Sequence, residues 1–178
     1  MTLQELFERS YVGLTDKGDT HDYIQGYYQK EFEDKRNAIL NILEIGVFYG
    51  GSMMMFSDWL PGAEFDGIDI NEPMYMKDRT KVMNAYSQEA LSMYEDDYYD
   101  YIIDDGPHTL ESMIYVTEHW MKKLKSGGKL IIEDVQSIEW CKEIEKAATG
   151  NGLFKFTIFD LRERKNRYDD ILIEILKL

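Results

Sequence analysis

The sequence of 178 residues contains only one cysteine, three prolines and three histidines. A single cysteine, Cys141, excludes an intramolecular disulfide and is typical of a protein that folds in a reducing compartment. No apolar run reaches the length of a transmembrane helix, and the first residues show neither the basic nor the apolar region of a secretory signal. We therefore expect a cytoplasmic protein without membrane insertion.

Basic side chains are also scarce, because 20 Lys and Arg stand against 34 Asp and Glu, giving a formal net charge of −14. Binding to a nucleic-acid backbone requires clustered Lys and Arg. This balance argues against a nucleic-acid partner and favours small molecules or cations. The length and the 44% hydrophobic content fit a single domain, residues 1–178, with its own core.

Strand-like and helix-like patterns alternate from residue 39 onward, which predicts a parallel, doubly wound α/β sheet of the Rossmann-like kind. The predicted strands are Ile39–Ile45, Glu64–Ile70, Val82–Tyr86, Tyr99–Asp104 and Lys129–Glu133. The predicted helices between and after them are Ser52–Leu60, Pro73–Lys81, Gln88–Tyr94, Leu110–Leu124 and Ile138–Ala148. Two earlier helices, Thr2–Arg9 and His21–Phe32, make residues 1–36 an N-terminal helical segment ahead of the core, residues 37–178.

The C-terminus breaks this alternation. Two strand-like runs, Leu153–Leu161 and Asp170–Leu178, are joined by Arg162–Asp169, which is too short to hold a crossover helix and return parallel. The last two strands therefore predict an antiparallel hairpin at one edge of a seven-stranded sheet.

Four of the predicted parallel strands end in acid. The acids are Glu44, Asp69, the pair Asp104 and Asp105, and the pair Glu133 and Asp134. Because the carboxyl ends of parallel strands lie along one edge, where open α/β sheets bind ligands, we expect these acids to surround one site.

The first strand end combines Glu44 with the glycines Gly46, Gly50 and Gly51. Glycines there let a ligand approach the backbone at a helix N-terminus, although they could also serve only a tight turn. The spacing G-x-x-x-G-G differs from the G-x-G-x-x-G of dinucleotide sites, and an acid before it suits a cationic amino group. Asp69 follows about twenty residues later, where an acid commonly holds ribose hydroxyls. Together they predict an adenosine ligand with a cationic tail.

The later strand ends suggest a metal ion. Asp105, Glu133 and Asp134 would repel one another, whereas a hard divalent cation would satisfy them, with magnesium the natural choice and manganese or calcium open. The alternative is that these are simply exposed strand-end acids, and the neighbouring Asp104 leaves the choice of aspartate open.

His108 follows Asp105 by three residues, in the turn before a predicted helix. A neutral imidazole there could accept a proton from a substrate hydroxyl, although a histidine in this position is often only a cap or loop residue. His21 could cap the early helix or contact substrate, and we interpret His119 as structural.

With these motifs the chain resembles the class I S-adenosylmethionine-dependent methyltransferases, and among them the metal-dependent macrolide and rhamnosyl sugar O-methyltransferases. The matching residues are Thr15-Asp16-Lys17-Gly18 with His21, Tyr23 and Tyr27, then Leu43–Val47 with Gly50–Ser52, Gly67–Ile70, Ile103–His108, and Glu133-Asp134. The resemblance implies S-adenosylmethionine, a divalent metal and methylation of a hydroxyl on a saccharide or glycan precursor. A catechol-type diol O-methyltransferase and a non-catalytic nucleoside-cofactor-binding protein are the alternatives.

The resemblance also implies a role for each site residue. The implied cofactor-binding residues are Thr15 and Lys17 in an N-terminal flap, Glu44 and Gly46 at the methionine part, Asp69 at the ribose, and Ser87 and Gln88 at the adenine. Gly50, Ser52 and Asp104 are also implied to bind the cofactor, without a specified part of it. His108 is the implied general base, and Asp105, Glu133 and Asp134 are the implied metal ligands, with Asp105 also catalytic. Without the resemblance, Thr15–Gly18 is better interpreted as a turn with a solvated lysine. Because the chain is short, completion of the acceptor pocket by a second subunit of a homodimer stays open.

Overall fold

The protein is built around one seven-stranded sheet. In the computed structural model, which describes residues 1–178, the strands are Asn41–Ile45 (β1), Glu64–Asp69 (β2), Thr80–Val82 (β3), Tyr99–Asp104 (β4), Leu124–Ile132 (β5), Phe154–Asp160 (β6) and Ile171–Lys177 (β7). Their order is β3-β2-β1-β4-β5-β7-β6. Strands β1 to β5 pair in parallel, and β7 is antiparallel to both β5 and β6. The predicted fold class and the terminal hairpin are confirmed.

Helices cover both faces of the sheet. They are Leu3–Ser10 (α1), a π-helix Ile24–Tyr28 that continues into Gln29–Phe32 (α2), Gly51–Trp59 (α3), Gln88–Ser92 (α4), Leu110–His119 (α5), Trp140–Ala148 (α6) and the single turn Arg162–Lys165 (α7). Neighbouring residues of one strand, such as Ile102 and Ile103, belong to separate apolar clusters on the two faces. Because both faces of the central strands are covered, these strands are nearly continuous apolar runs. Burial of each such side chain stabilises the folded state by roughly 1.5 to 3 kcal/mol. None of the helices combines the length and the apolar character needed to cross a bilayer.

The N-terminal helices are part of the core. Thr2 and Glu5 form a capping box at the start of α1, while Phe7 and Phe32 are buried in the same apolar cluster as α3. The connection between α1 and the π-helix, residues 11–23, is called the N-terminal loop below. Because both of its ends are packed against the core, this loop is held across the carboxyl edge of the sheet.

The prediction of a helix over Pro73–Lys81 is wrong. That segment contains only a 3₁₀ turn, Lys77–Arg79, and the third strand is Thr80–Val82, which overlaps the predicted strand Val82–Tyr86 only at Val82. Met76 has φ of 60°, and this left-handed residue interrupts any helix.

The prediction that the long helix runs to Leu124, just before Ser126-Gly127-Gly128, is also wrong. The α-helix α5 ends at His119 and a 3₁₀ turn, Trp120–Lys123, leads directly into β5. Gly127, at φ of 83°, lies where β5 shifts register against β4, so these glycines form an irregularity in a strand and not a helix cap.

Candidate active site

Two adjoining cavities lie at the carboxyl edge of the sheet, beside the ends of β1, β2 and β4. Cavity A measures about 440 Å³ and cavity B about 480 Å³. They share Gly46, Phe48, Asp105 and Gly106. The strand order reverses between β1 and β4, and crevices at such switch points are where open α/β sheets bind ligands.

Cavity A is the more apolar of the two. Its lining includes Ile45, Ile68, Asp69, Ile70, Asn84 and Tyr86. The Asp69 carboxylate accepts hydrogen bonds from the backbone N–H groups of Phe48 and Asn71, both at 2.8 Å, which fix its position at the end of β2.

The residues expected at the adenine take other positions. Ser87 is the N-cap of α4, where its hydroxyl accepts from the Ala90 N–H, and neither Ser87 nor Gln88 lines cavity A. Residues 83–86, directly before them, line it instead.

Cavity B lies between the glycine turn after β1 and the N-terminal loop. Its polar lining includes Thr15, Asp16, Asp19, Ser52, Asp105 and His108, and no Lys or Arg side chain contributes. Phe48 and Tyr49 form an exposed aromatic rim, with 71% and 51% of their surface accessible.

The glycines after β1 allow close approach of two other segments. A Cβ on Gly46, which has φ of +86°, would lie 2.0 Å from the Asp105 carbonyl oxygen. A Cβ on Gly51 would lie 1.9 Å from the carbonyl oxygen of Leu14 in the N-terminal loop. These glycines therefore form a tight turn, as one interpretation of the sequence had it. Asp105 and the N-terminal loop both pack against this turn.

Lys17 is completely buried among three of the acids. Its ammonium group donates to Asp105 Oδ2 at 2.7 Å and to Glu133, and lies 3.8 Å from Glu44 Oε1. Burial alone would lower the pKa of Lys17, but the three carboxylates raise it well above its usual range, so the side chain is cationic. The interpretation as a solvated lysine is wrong.

Glu44 and Glu133 are both held by protein groups. The Ser52 hydroxyl donates to the Glu44 carboxylate, and the Tyr28 hydroxyl donates to Glu133 on the oxygen that Lys17 does not contact. Burial raises the pKa of Glu44 to about 7, with Lys17 opposing the shift. Burial likewise raises the pKa of Glu133 well above its usual range.

Asp105, His108 and Asp134 form a second cluster, of which Asp105 and His108 line cavity B and Asp134 lies buried behind them. His108 Nε2 lies 3.2 Å from Asp105 Oδ1 and 3.3 Å from Asp134 Oδ2. One ligand atom from each residue falls within 4.8 Å of the others, and carboxylate oxygens are the ligands that magnesium prefers. The donor set therefore fits a divalent cation. Glu133, predicted as the third metal ligand, is directed toward Lys17 and Tyr28, so its metal-binding role stays a prediction.

The surrounding acids control the protonation of His108. Burial alone would lower its pKa, but the bond to Asp105 and the charge of Asp134 raise it to about 9. The imidazole is therefore protonated at neutral pH in the metal-free site, beside the same carboxylates that could hold a cation.

The N-terminal loop also positions Asp134. The Tyr23 hydroxyl donates to Asp134 Oδ1 at 2.6 Å and accepts from the Asp134 N–H at 3.1 Å. His21 Nδ1 lies 3.4 Å from Asp134 Oδ1 and is hydrogen-bonded to the buried Asp170. These supporting contacts were not predicted from the sequence. The close spacing of Lys17, His21 and Tyr23 was the sequence signal that could have indicated them.

Asp104 stands apart from both clusters. It is buried, its Oδ1 has no hydrogen-bond partner, and it does not line either cavity. Burial raises the pKa of Asp104 to about 7. Its assignment to cofactor binding stays a prediction.

Two curated relatives are similar over most of this chain. The mycinamicin VI 2''-O-methyltransferase of Micromonospora griseorubida is 27% identical over 148 residues, which cover 76% of this chain and 37% of that protein. The demethylmacrocin O-methyltransferase of Streptomyces fradiae is 25% identical over 139 residues, covering 71% of this chain and 35% of that protein. The chain thus spans little more than a third of the length of these relatives.

Solved structures agree on the fold. A MycE methyltransferase from the mycinamycin biosynthetic pathway, in complex with Mg, SAH and mycinamycin VI, superposes with a TM-score of 0.74 at 20% identity, covering 99% of this chain and 54% of that one. A second MycE structure, with Mg and SAH, has 28% identity and a TM-score of 0.65 over 75% of this chain and 37% of that one.

The family match covers the strand ends described above. Residues 43–135, a little over half of the chain, match the family described as "Methyltransferase domain". That range includes Glu44, Asp69, Asp105, His108 and Asp134. The chain belongs to this family of methyltransferase domains.

Proposed function

We propose that this protein is an S-adenosylmethionine-dependent O-methyltransferase assisted by a divalent metal, most simply Mg²⁺. The observation that carries the proposal is the cluster of Asp105, His108 and Asp134, which contributes Asp105 and His108 to the wall of cavity B, directly beside the apolar cavity A. The arrangement provides a nucleoside pocket, a cation site and a proton acceptor at one edge of the sheet. Two structures of a similar methyltransferase were obtained with Mg and SAH, which supports the same pair of ligands here.

The two cavities divide the cofactor between them. Cavity A takes the adenosine, with the ribose at Asp69 and the adenine near Asn84 and Tyr86. Cavity B takes the methionine part against Gly46 and Ser52, at the start of α3 where backbone N–H groups favour a carboxylate. The sulfonium methyl group then lies near the boundary between the cavities, close to Asp105.

The reaction is a single displacement. The acceptor oxygen forms a bond to the methyl carbon as the carbon–sulfur bond breaks, the electron pair stays on sulfur, and the hydroxyl proton passes to His108 in its neutral form. A cation on Asp105 and Asp134 would offset the two charges that raise the pKa of His108 to about 9 and so favour that neutral form. Asp105 and Asp134 would hold the cation and also orient His108, and the protein's main contribution is alignment of the two reactants. A bound divalent cation supplies Lewis acidity, which makes an acceptor hydroxyl easier to deprotonate.

Charge in cavity B indicates the class of acceptor. Asp16, Asp19 and Asp105 contribute negative charge, and no Lys or Arg side chain lines the cavity. Apart from the proposed metal ion, an acceptor that carries phosphate would meet no cationic group there, whereas a neutral or cationic saccharide needs none. The exposed rings of Phe48 and Tyr49 offer apolar faces against which a sugar can stack. We therefore favour an unphosphorylated saccharide that presents neighbouring hydroxyls to the cation.

Calorimetric titration and an acceptor screen test the proposal. S-Adenosylmethionine should bind and NAD should not, and transfer of a labelled methyl group should require Mg²⁺. Among acceptors, neutral and amino sugars should be methylated in preference to sugar phosphates and catechols. Binding of S-adenosylmethionine without transfer to any acceptor would favour the non-catalytic alternative, while preference for a catechol would favour the diol alternative. Sedimentation with and without ligands tests whether a homodimer forms.

A further inference from the structure

Lys17 places a cation of the protein itself beside the proposed metal site. Its ammonium group is fully buried, lies 2.7 Å from Asp105 Oδ2 and also contacts Glu133. On the same carboxylate, Asp105 Oδ1 faces His108 and Asp134. Asp105 therefore has one oxygen toward the lysine and the other toward His108.

We propose that Lys17 is a built-in counter-cation which neutralises Asp105 and Glu133 in the metal-free protein and gives up Asp105 when a divalent cation binds. This inference rests on the proposed metal-assisted function.

In the metal-free protein the buried acids require a counter-charge. Asp105 and Glu133 are inserted from neighbouring strand ends, with Glu44 close by, and Glu133 and Glu44 are almost completely buried. Buried carboxylates are tolerated only when they are paired, and Lys17 is the only cationic Lys or Arg side chain within 4 Å of these three acids. The site can therefore fold before any metal arrives.

In the metal-bound protein the cation and Lys17 would compete for Asp105. A divalent ion on Asp105 Oδ1 would stand close to the ammonium group on Oδ2, and two cations on one carboxylate repel each other. Binding of the metal must therefore weaken the contact between Lys17 and Asp105, and by reciprocity the contact must weaken binding of the metal.

Displacement of Lys17 would also affect cavity B. Lys17 belongs to the N-terminal loop, and its neighbours Thr15 and Asp16 line cavity B. Movement of the Lys17 side chain would therefore shift the wall of the cavity that receives the acceptor. The metal would act on the shape of the acceptor site as well as on its charge.

The test compares the wild-type protein with Lys17→Met, which keeps the length of the side chain and removes its charge. Isothermal titration with MgCl₂ should give an affinity at least about fivefold higher for the variant, in the range of typical coupling between sites. Thermal unfolding should show a lower Tm for the metal-free variant and a larger rise of Tm on addition of Mg²⁺. Lys77→Met, at an exposed ion pair with Glu72, is the matched control and should behave as the wild type.

Equal or weaker Mg²⁺ affinity in Lys17→Met would overturn the inference. If the variant does not fold, acylation of the wild-type protein followed by mass spectrometry decides the matter. Modification of Lys17 should increase when Mg²⁺ is present, and unchanged protection would contradict the displacement. A wild-type protein that binds no Mg²⁺ would overturn the metal part of the proposed function together with this inference, whereas binding without any effect of Lys17 would overturn the inference alone.

Discussion

His108 and Asp134 face each other with their backbones both in the left-handed region, at φ of 56° and 54°, and their side chains lie 3.3 Å apart between Nε2 and Oδ2. Such conformations cost non-glycine residues of order 1 to 3 kcal/mol and persist only where surrounding contacts impose them. Tyr23 supplies those contacts for Asp134 by binding both its carboxylate and its N–H. The strained backbone thus coincides with the residues proposed to carry the chemistry.

Replacing His108 with alanine should reduce methyl transfer by about 100-fold or more, because the proton acceptor is lost. Affinity for S-adenosylmethionine should stay nearly unchanged, since His108 does not line the proposed adenosine pocket, cavity A, and the methionine part is placed in cavity B against Gly46 and Ser52. A labelled methyl donor measures the first quantity and calorimetry the second. His119→Ala, on α5 away from both cavities, should leave the rate as it is. A large loss of cofactor affinity in His108→Ala would mean that the residue is structural.

Replacing Asp134 with asparagine should remove the dependence of turnover on Mg²⁺, because the substitution takes a charged oxygen from the proposed cation site. The matched control is Asp169→Asn, whose carboxylate is bound by Arg167. Rates measured across a Mg²⁺ titration compare the two variants. An unchanged response in Asp134→Asn would exclude this residue from the metal site.

Replacing Asp69 with alanine should weaken binding of S-adenosylmethionine by about tenfold or more, because hydrogen bonds to a charged group contribute roughly 1.5 to 3 kcal/mol each. Asp66→Ala is the control on the same strand, since Asp66 accepts from the Tyr99 hydroxyl and does not line cavity A. Calorimetry gives both affinities. Equal effects of the two substitutions would argue against a ribose contact at Asp69.

Replacing Gly46 with alanine should abolish binding of both the cofactor and the metal. The added Cβ would collide with the Asp105 carbonyl and displace the turn that carries Asp105 and His108. Gly127→Ala is a close control, because Gly127 has a similar φ of +83° and nothing within 4 Å of its Cβ position. The difference between the two variants in ligand binding separates the close contact from the cost of the backbone conformation. Equal binding by both would show that the turn can relax.

Replacing Glu31 with glutamine should lower the stability at neutral pH by about 1.5 to 3 kcal/mol, because its carboxylate accepts from Lys129. Burial alone would raise the pKa of Glu31, but bonds from Lys129, Tyr101 and Lys35 lower it below the ordinary value. Its contribution is therefore present above the ordinary pKa, about 4.3, and is lost as the pH falls through the lower native value.

Urea unfolding at several pH values checks this expectation. The Glu31→Gln variant should lose less stability than the wild type as the pH falls below about 4.3. Glu72→Gln, at an exposed ion pair with Lys77, should change little at any pH. Parallel pH profiles for Glu31→Gln and the wild type would contradict the assignment.

The sheet could be predicted from the sequence because each central strand is an apolar run that ends in acid. The boundaries of Tyr99–Asp104 agree with the structure, and the terminal hairpin followed from the short link between its strands. The segment 73–82 could not be predicted in the same way, because the left-handed Met76 has no signature in local composition.

The gathering of the acids was likewise predictable, since parallel strands end along one edge. Which acid faces which partner was not. Lys17 and Glu133 are 116 residues apart in sequence, and their contact depends on how the N-terminal loop crosses the sheet. Turn-like composition around Lys17 suggests solvent exposure, and tertiary packing overrides it.

The contacts of the N-terminal loop join distant parts of the chain: Lys17 reaches residue 105, Tyr23 reaches residue 134 and His21 reaches residue 170. Closing such long loops is slow and entropically costly, so these contacts should be among the last to form. During synthesis the chain would acquire its sheet piece by piece, but the residues proposed for chemistry would come into register only after Asp170 had left the ribosome. Activity would then appear only once folding is complete, and a partly folded chain would not react with the methyl donor.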